Sequence, residues 1–186
     1  MTPLRKDAAR NWDRILTVAR ELVDEGTPLQ LNDVARRAGL GVGTVYRHFP
    51  TTEALLETVA TPCLEALADH GRQALTDDDP WHAFSEFLKR LVEVQVSDPS
   101  LAKVAAAAED TLPRTTELKQ QIIATGTELL TKARATGSVR EDLADGDLVP
   151  LMCGIAYATY VHSDGPADRL PTARRYLDTL LRGLSA

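Results

Sequence analysis

The sequence has few of the features on which membrane, secreted and metal-binding proteins depend. Its 186 residues include only two cysteines, Cys63 and Cys153, which lie far apart and form no metal or disulfide pattern. No apolar run approaches the roughly 20 residues that a membrane-spanning helix needs, and the N-terminal residues contain no signal-peptide core. We therefore expect a cytoplasmic protein with reduced thiols, no membrane contact, no metal and no cofactor.

Aromatic residues are also scarce, at 5% of the chain, and no long stretch alternates between apolar and polar residues. Because such alternation marks half-buried strands, the sequence predicts no sheet. Apolar residues instead recur at helical spacing between glycine and proline breaks. The sequence predicts an all-α chain of about nine helices, with a three-helix head in residues 1–52 and a helical bundle in residues 53–186.

Proline positions lead to two further expectations about the helices. Pro62 lies inside the fourth helical pattern and is expected to kink it. Residues 166–171 begin and end with proline and are expected to precede the last helix, which ends near Leu184. Thr51 or Thr52 is expected to cap the fourth helix at its N-terminus.

Charge is distributed unevenly along the chain. The formal net charge of −6 does not by itself favour a nucleic-acid-binding protein. Residues 1–50, however, carry eight Lys/Arg and six Asp/Glu, a net charge of +2, and the remaining residues carry a net charge of −8. A mildly basic head on an acidic body fits a protein whose head contacts phosphate groups.

The most informative stretch is LNDVARRAGLGVGTVYRHF, residues 31–49. Two short helical patterns flank a turn at residues 39–41 that contains two glycines. Val45 and Phe49, an i,i+4 pair, give the second pattern an apolar face, and its other positions are mostly polar. This layout is typical of a helix-turn-helix, in which the first helix supports a second helix that enters a DNA groove.

Residues 34–49 and the following Glu53-Ala54-Leu55-Leu56 resemble the tetracycline-repressor (TetR) family of bacterial transcription regulators. The resemblance covers roughly the first 60 residues, and the rest of the chain is similar to the family only in length and helix count. It implies a homodimer that binds a double-stranded DNA operator through two heads. It further implies that a small-molecule effector, which the sequence does not identify, enters the C-terminal domain and releases the operator.

Eight residues of the head are candidates for DNA contact. Tyr46 and His48 resemble the family's phosphate-contacting pair, and Arg47 is the best candidate for reading a base, because a guanidinium can bind guanine O6 and N7 together. Gly43 allows the helix to approach the DNA backbone closely. Thr52 stands where the family most often has a phosphate-binding lysine, so its contact is left open. The full set is Asn32, Val42, Gly43, Thr44, Tyr46, Arg47, His48 and Thr52.

Two further sets of residues are predicted in the body. Aromatic and aliphatic residues that can line a ligand pocket between helices, or simply form core, are Trp81, Phe84, Phe87, Leu91, Ile122, Met152 and Tyr157. Stripes on the last two helices predict a dimer interface of four helices, two from each subunit. Its candidate residues are Leu151, Ile155, Thr159, Tyr176, Leu177, Leu180 and Leu184.

Two functions from different classes fit the sequence. The first is a ligand-responsive repressor that binds a roughly palindromic operator, and an activator of the same kind stays open. The second is an enzyme or carrier whose body binds a small molecule and whose head only resembles a DNA reader. No nucleophile–base pair, carboxylate pair or phosphate loop is visible in the sequence, so we expect no enzymatic activity.

Overall fold

The computed structural model describes residues 3–185, with side chains from Asp7 onward, so the side chains of Arg5 and Lys6 lie outside the described residues. Within this range the chain forms α-helices joined by loops, the longest of which ends in a 3₁₀ turn at Asp145–Asp147, and no strand is present. The helices are α1 (Pro3–Asp24), α2 (Leu31–Ala38), α3 (Val42–His48), α4 (Thr52–Ala74), α5 (Pro80–Ser97), α6 (Pro99–Ala106), α7 (Pro113–Ala135), α8 (Leu148–His162) and α9 (Pro166–Leu184). The predicted all-α fold of about nine helices is confirmed. In the described range no helix is both long and apolar enough to cross a membrane.

The buried apolar side chains form two separate clusters. The head core joins α1, α2, α3 and the start of α4 through Ile15, Ala19, Leu22, Leu31, Val34, Ala35, Val45, Phe49, Leu55 and Val59. The body core joins α4 through α9 and begins on α4 at Ala60 and Leu64. One continuous helix, α4, therefore contributes its first two turns to the head core and its remaining turns to the body core.

Side-chain caps fix where several helices begin. The hydroxyl of Thr51 accepts a hydrogen bond from the backbone N–H of Ala54 at 3.1 Å, which starts α4 where the sequence predicts. A carboxylate oxygen of Asp79 accepts from the N–H groups of Trp81 and His82, both at 3.0 Å, and starts α5. These caps satisfy amide groups that a helix cannot pair internally.

Prolines occur inside two of the observed helices, and one of these helices begins earlier than the sequence predicts. Helix α4 continues through Pro62 for its full 23 residues, with the proline ring on the exposed side. Helix α9 begins at Pro166 and includes Pro171, so it starts earlier than predicted. Its first turn is supported by the Thr172 hydroxyl, which donates to Asp168 Oδ2 at 3.0 Å, and a proline at the first helical position needs no amide partner.

Two charged side chains connect the head to the body. Arg20 of α1 donates through Nη1 to Asp98 Oδ2 at 2.9 Å and through Nη2 to the carbonyl oxygen of Val59 at 2.5 Å. The buried carboxylate of Glu57 on α4 accepts from the backbone N–H groups of Thr111 and Leu112 at 2.6 and 2.8 Å. Hence α1 is bonded to the start of α6, and the loop before α7 is bonded to α4.

Candidate nucleic-acid interface

The turn between α2 and α3 has the geometry that the glycines predict. Gly39 has φ 62° and ψ 37°, a left-handed conformation that residues with a Cβ rarely adopt. Its N–H donates to the carbonyl of Arg36 at 3.2 Å, and the N–H of Leu40 donates to that of Ala35 at 2.9 Å. These two bonds form a Schellman motif, which ends α2 and redirects the chain into α3.

Helix α1 holds both helices of this motif in place. Val45 and Phe49 are buried in the head core, and the ring centroid of Trp12 lies 4.4 Å from that of Phe49. The Trp12 ring also meets His48 edge to face, with centroids 5.9 Å apart. Arg14 donates to the carbonyl oxygen of Ala38 at the C-terminus of α2, where a cation is favoured by the helix dipole. The position of α3 is thereby fixed by packing on one face only.

The opposite face of α3 is open to solvent and carries six of the eight predicted DNA-contact residues. Val42 and Tyr46 are 47% and 46% exposed, high values for an aliphatic and an aromatic side chain. Gly43 and Arg47 are exposed as well, and Thr44 and His48 are half-buried. The two others lie at neighbouring helix starts, with Asn32 exposed on α2 and Thr52 half-buried as the first residue of α4.

The Arg47 side chain lies along its own helix. Its Nε donates to the carbonyl oxygen of Gly43 at 3.0 Å, and its Nη2 lies 3.4 Å from the Thr44 hydroxyl, a long hydrogen bond. Both partners belong to α3, so the guanidinium is not tied to the rest of the head. It can leave these bonds for a base edge without disturbing another helix.

Most other cations of the head are paired with carboxylates. Arg36 lies 2.7 Å from Asp33, and Arg37 binds both carboxylate oxygens of Glu25 at 2.7 and 2.5 Å. The Arg37 hydrogen bond lowers the pKa of Glu25 from its ordinary value, against a smaller opposing effect of desolvation. Among the described arginines of the head, Arg14 and Arg47 have no carboxylate partner. Arg47 is the one of these two on the exposed face of α3.

Gly43 is not required by anything inside the subunit. A Cβ placed at this position would meet no atom within 4 Å, and Gly43 is not among the glycines with positive φ. Neither packing nor backbone conformation explains a glycine here. A surface that approaches α3 from outside would explain it.

A cavity of about 150 Å³ lies in the body between α4, α5, α6, α7 and α8. Four of the predicted pocket residues line it: Phe87, Leu91, Ile122 and Met152. The other three do not. Phe84 is fully buried in the body core, Trp81 is half-buried with its ring centroid 6.3 Å from that of Phe84, and Tyr157 is 72% exposed.

The sequence reasoning missed several residues of the cavity wall. Leu64 and Leu67 come from α4, Gln95 from α5 and Lys119 from α7. The small residues Ala105 and Gly126 face the cavity. The four consecutive alanines at residues 105–108 are a local sequence signal that could have indicated open space here. Within the described residues, no group of three or more His, Cys, Asp or Glu side chains is arranged to hold a metal ion.

The predicted dimer stripes divide between the inside and the outside of the body. Thr159, Leu177 and Leu184 are buried within the subunit and are not free to contact another chain, which corrects their assignment. Leu151, Ile155, Tyr176 and Leu180 are half-buried on the outer side. The residues that protrude most were not predicted as interface: Val149, Tyr157, Tyr160 and Val161.

Comparisons with known proteins agree with this geometry. Residues 15–59, which contain α2, α3 and the start of α4, match the family model described as "Bacterial regulatory proteins, tetR family". Residues 79–186 match the one described as "Transcriptional regulator SbtR-like, C-terminal domain". The chain belongs to the TetR family. It is a transcriptional regulator with a DNA-binding domain, and the resemblance noted in its sequence is confirmed.

Individual relatives and solved structures are similar to the chain over different extents. A TetR transcriptional regulator from Streptomyces coelicolor is 31% identical, with 93% of this chain and 97% of that chain aligned and a TM-score of 0.58. An HTH-type transcriptional regulator of Staphylococcus aureus is 29% identical over 112 residues, and the match spans 60% of that protein's length. The regulator FadR from Bacillus subtilis, solved with stearoyl-CoA, is 16% identical over 93% of this chain, with a TM-score of 0.68, and shares the fold.

Proposed function

We propose that this TetR-family regulator is a ligand-responsive repressor that binds a roughly palindromic operator as a homodimer. The observation that carries the proposal is the exposed face of α3, where Val42, Gly43, Tyr46 and Arg47 point away from a head core that holds the helix rigidly. A short helix of this kind fits the major groove. In this proposal residues 1–52 supply the DNA-binding domain and residues 53–186 the ligand-binding and dimerisation domain.

Within the head, we assign direct base reading to Arg47. Tyr46 and His48 contact phosphate, and Val42 offers an apolar contact to a thymine methyl group. Asn32, Thr44 and Thr52 lie at the edge of the same surface and contribute further polar contacts to the DNA backbone. The small basic excess of the head means that affinity depends on two heads acting together.

Dimerisation is proposed through the outer faces of α8 and α9. Tyr157, Tyr160 and Val161 are exposed large apolar side chains on one helix, and such a patch is typical of a protein–protein interface. Leu151, Ile155, Tyr176 and Leu180 lie beside it on the half-buried outer side. Two copies of this surface can meet in a symmetric four-helix contact, which places two heads on one face of DNA.

Release from the operator is assigned to a small molecule in the body cavity. The cavity lies against α4, whose first turns belong to the head core, and against α6, whose first turn is bonded to α1 through Arg20 and Asp98. Occupation of the cavity can therefore act on the head through two helices. FadR from Bacillus subtilis holds stearoyl-CoA, which supports a ligand role for a body of this fold.

A footprint and a gel shift on DNA from the region upstream of the gene test the proposal. We expect the wild-type chain to protect two half-sites related by twofold symmetry. Arg47→Ala should lower specific affinity about 10- to 100-fold, the range for loss of one bidentate base contact. Arg36→Ala is the matched control, because Arg36 is an exposed arginine that pairs with Asp33 on α2, and it should change affinity far less.

Two results would contradict the proposal. A footprint on a single unsymmetrical half-site would exclude the symmetric dimer. Specific binding that survives Arg47→Ala unchanged would refute the role of that residue.

A further inference from the structure

The walls of the body cavity are made almost entirely of apolar side chains. Leu64 and Leu67 face it from α4, Phe87 and Leu88 from α5, and Ile122 and Met152 from α7 and α8. The volume of about 150 Å³ is well below the roughly 300–1,000 Å³ of pockets for drug-sized ligands. It is close to that of apolar protein cavities that hold one benzene molecule.

The two charged residues on the cavity wall are already neutralised. The ammonium group of Lys119 donates to Asp110 Oδ1 at 2.5 Å and to the carbonyl oxygen of Val104 at 2.8 Å. The carboxylate of Asp145 accepts from Arg134 Nη1 at 2.6 Å. A charged ligand would lose its hydration on entry and find no free counter-charge, which is strongly unfavourable.

The polar contribution of the wall is small and neutral. Gln95 is buried, and its side-chain amide can both donate and accept a hydrogen bond. Thr127 adds one hydroxyl group on α7. These groups can accommodate one hydroxyl or carbonyl group of a ligand but cannot compensate a full charge.

Phe87 forms a wall that cannot move aside easily. A Cβ at Gly71 would lie 3.0 Å from Phe87 Cε2, and one at Gly126 would lie 3.2 Å from Cε1. The ring therefore fits between α4 and α7 only because both positions are glycine. A ligand cannot gain room by pushing this ring into either helix, so Phe87 sets a fixed inner wall of the cavity.

From these features we infer that the effector is a compact, uncharged, largely apolar molecule of about the size of one substituted ring. The inference rests on the proposed ligand-responsive function and specifies the ligand class for that site. Long acyl chains and organic anions or cations are outside this class. The neutral side chains that carry the assignment are Phe87, Gln95, Ile122 and Met152.

Thermal unfolding of the full chain with ring probes of similar size and different charge tests the ligand class. Toluene and phenol are the neutral probes, benzoate is the anion and benzylamine, protonated at pH 7, is the cation. At about ten times the dissociation constant, a neutral probe should raise Tm by about 3 °C or more. Benzoate and benzylamine should give no saturable shift.

Two filling variants test the location. Ala105→Leu and Cys153→Leu each add side-chain volume to the cavity wall from different helices, α6 and α8, and should abolish the toluene shift. Ala106→Leu is the matched control, because Ala106 neighbours Ala105 on α6 but is exposed and does not line the cavity. It should keep the shift. Either filling variant that folds suffices.

The possible results show separately whether the ligand class is wrong and whether the proposed function is wrong. A larger shift with benzoate or benzylamine, or no shift with any probe, would overturn the ligand class. A toluene shift that persists in every filling variant that folds would overturn the site. Operator affinity is measured separately by gel shift, so neutral binding without any change in operator affinity would support the ligand class and contradict ligand-responsive repression.

Discussion

The guanidinium of Arg20 lies 2.9 Å from a carboxylate oxygen of Asp98 and joins the head to the first turn of α6. The same guanidinium also bonds to the Ser100 hydroxyl at 3.2 Å. Asp98 in turn accepts from the backbone N–H groups of Ser100 and Leu101 at 2.8 and 3.1 Å. Because Leu101 also lines the body cavity, one short helix contacts both that cavity and the head.

Removal of the Arg20 side chain should therefore lower stability more than removal of a surface arginine. Arg20→Ala leaves the largely buried carboxylate of Asp98 without its cation, and the expected loss in the free energy of unfolding is about 1.5–3 kcal/mol. Arg36→Ala breaks a pair of similar length, 2.7 Å, but the Arg36 side chain is 81% exposed against 32% for Arg20. It should cost less than about 1 kcal/mol. Urea unfolding of both variants checks the difference, and equal losses would contradict it.

Cys63 is expected to react slowly with alkylating reagents, and faster when the charge of Asp98 is removed. Burial raises the pKa of the Cys63 thiol to about 11, and the hydrogen bond to Asp98 Oδ2 at 2.8 Å and the carboxylate charge add to the rise. At pH 8 only about one such thiol in a thousand is ionised. Asp98→Asn removes the negative charge, which lowers the pKa, so alkylation by iodoacetamide at pH 8 should become faster.

The Cys63 measurement is best made with Cys153→Ser in the background, so that a single thiol reacts. Arg20→Ala is the control, because it opens the same junction but leaves the Asp98 charge beside the thiol, and the Arg20 cation lowers the pKa of Cys63. It should not accelerate alkylation. If both variants react equally fast, local opening rather than charge controls the thiol.

Gly43→Ala should separate DNA binding from folding. The added methyl group meets no atom of the subunit within 4 Å, and alanine favours a helix over glycine by up to about 1 kcal/mol. Tm should therefore stay unchanged or rise. Operator affinity should fall, because the methyl group occupies the surface that approaches the DNA. A variant that binds the operator normally would show that Gly43 does not lie at the contact.

Gly154 offers the corresponding test of the dimer surface. It is exposed on α8, and a Cβ there would meet nothing within 4 Å of the subunit. Gly154→Leu should disrupt close contact between two copies of α8 and shift the chain from dimer to monomer in sedimentation or light-scattering measurements. Ala66→Leu, on the exposed side of α4, is the control and should leave the mass unchanged.

The helices of the head and the packing of its core could be predicted because the sequence patterns that determine them are local. The i,i+4 spacing of Val45 and Phe49 identifies the buried face of α3, and both side chains are buried. Gly39 marks the end of α2, where its left-handed backbone is observed. In each case residues within one or two turns determine the outcome, so periodicity and capping rules suffice.

The faces of α8 and α9 could not be predicted in the same way. Helix α8 is apolar on nearly every side between Leu148 and Val161, so periodicity does not identify which face is inside. Leu177 and Leu184 form a stripe that fits an internal core and a subunit interface equally well. Contacts between distant residues are also invisible in a local pattern, as with Arg20 and Asp98, which are 78 positions apart.

The continuity of α4 has a consequence for the construction of chimeric regulators. Leu55 and Val59 complete the head core, so a graft that exchanges DNA specificity at residue 52 would separate the incoming head from two of its own core side chains. A junction after Val59 transfers these residues with the head and keeps Ala60 and Leu64 with the body core. Arg20 and Glu57 would arrive with the new head, so the recipient body would still have to supply Asp98 for the arginine. It would also have to present the backbone N–H groups of residues 111 and 112 to the glutamate.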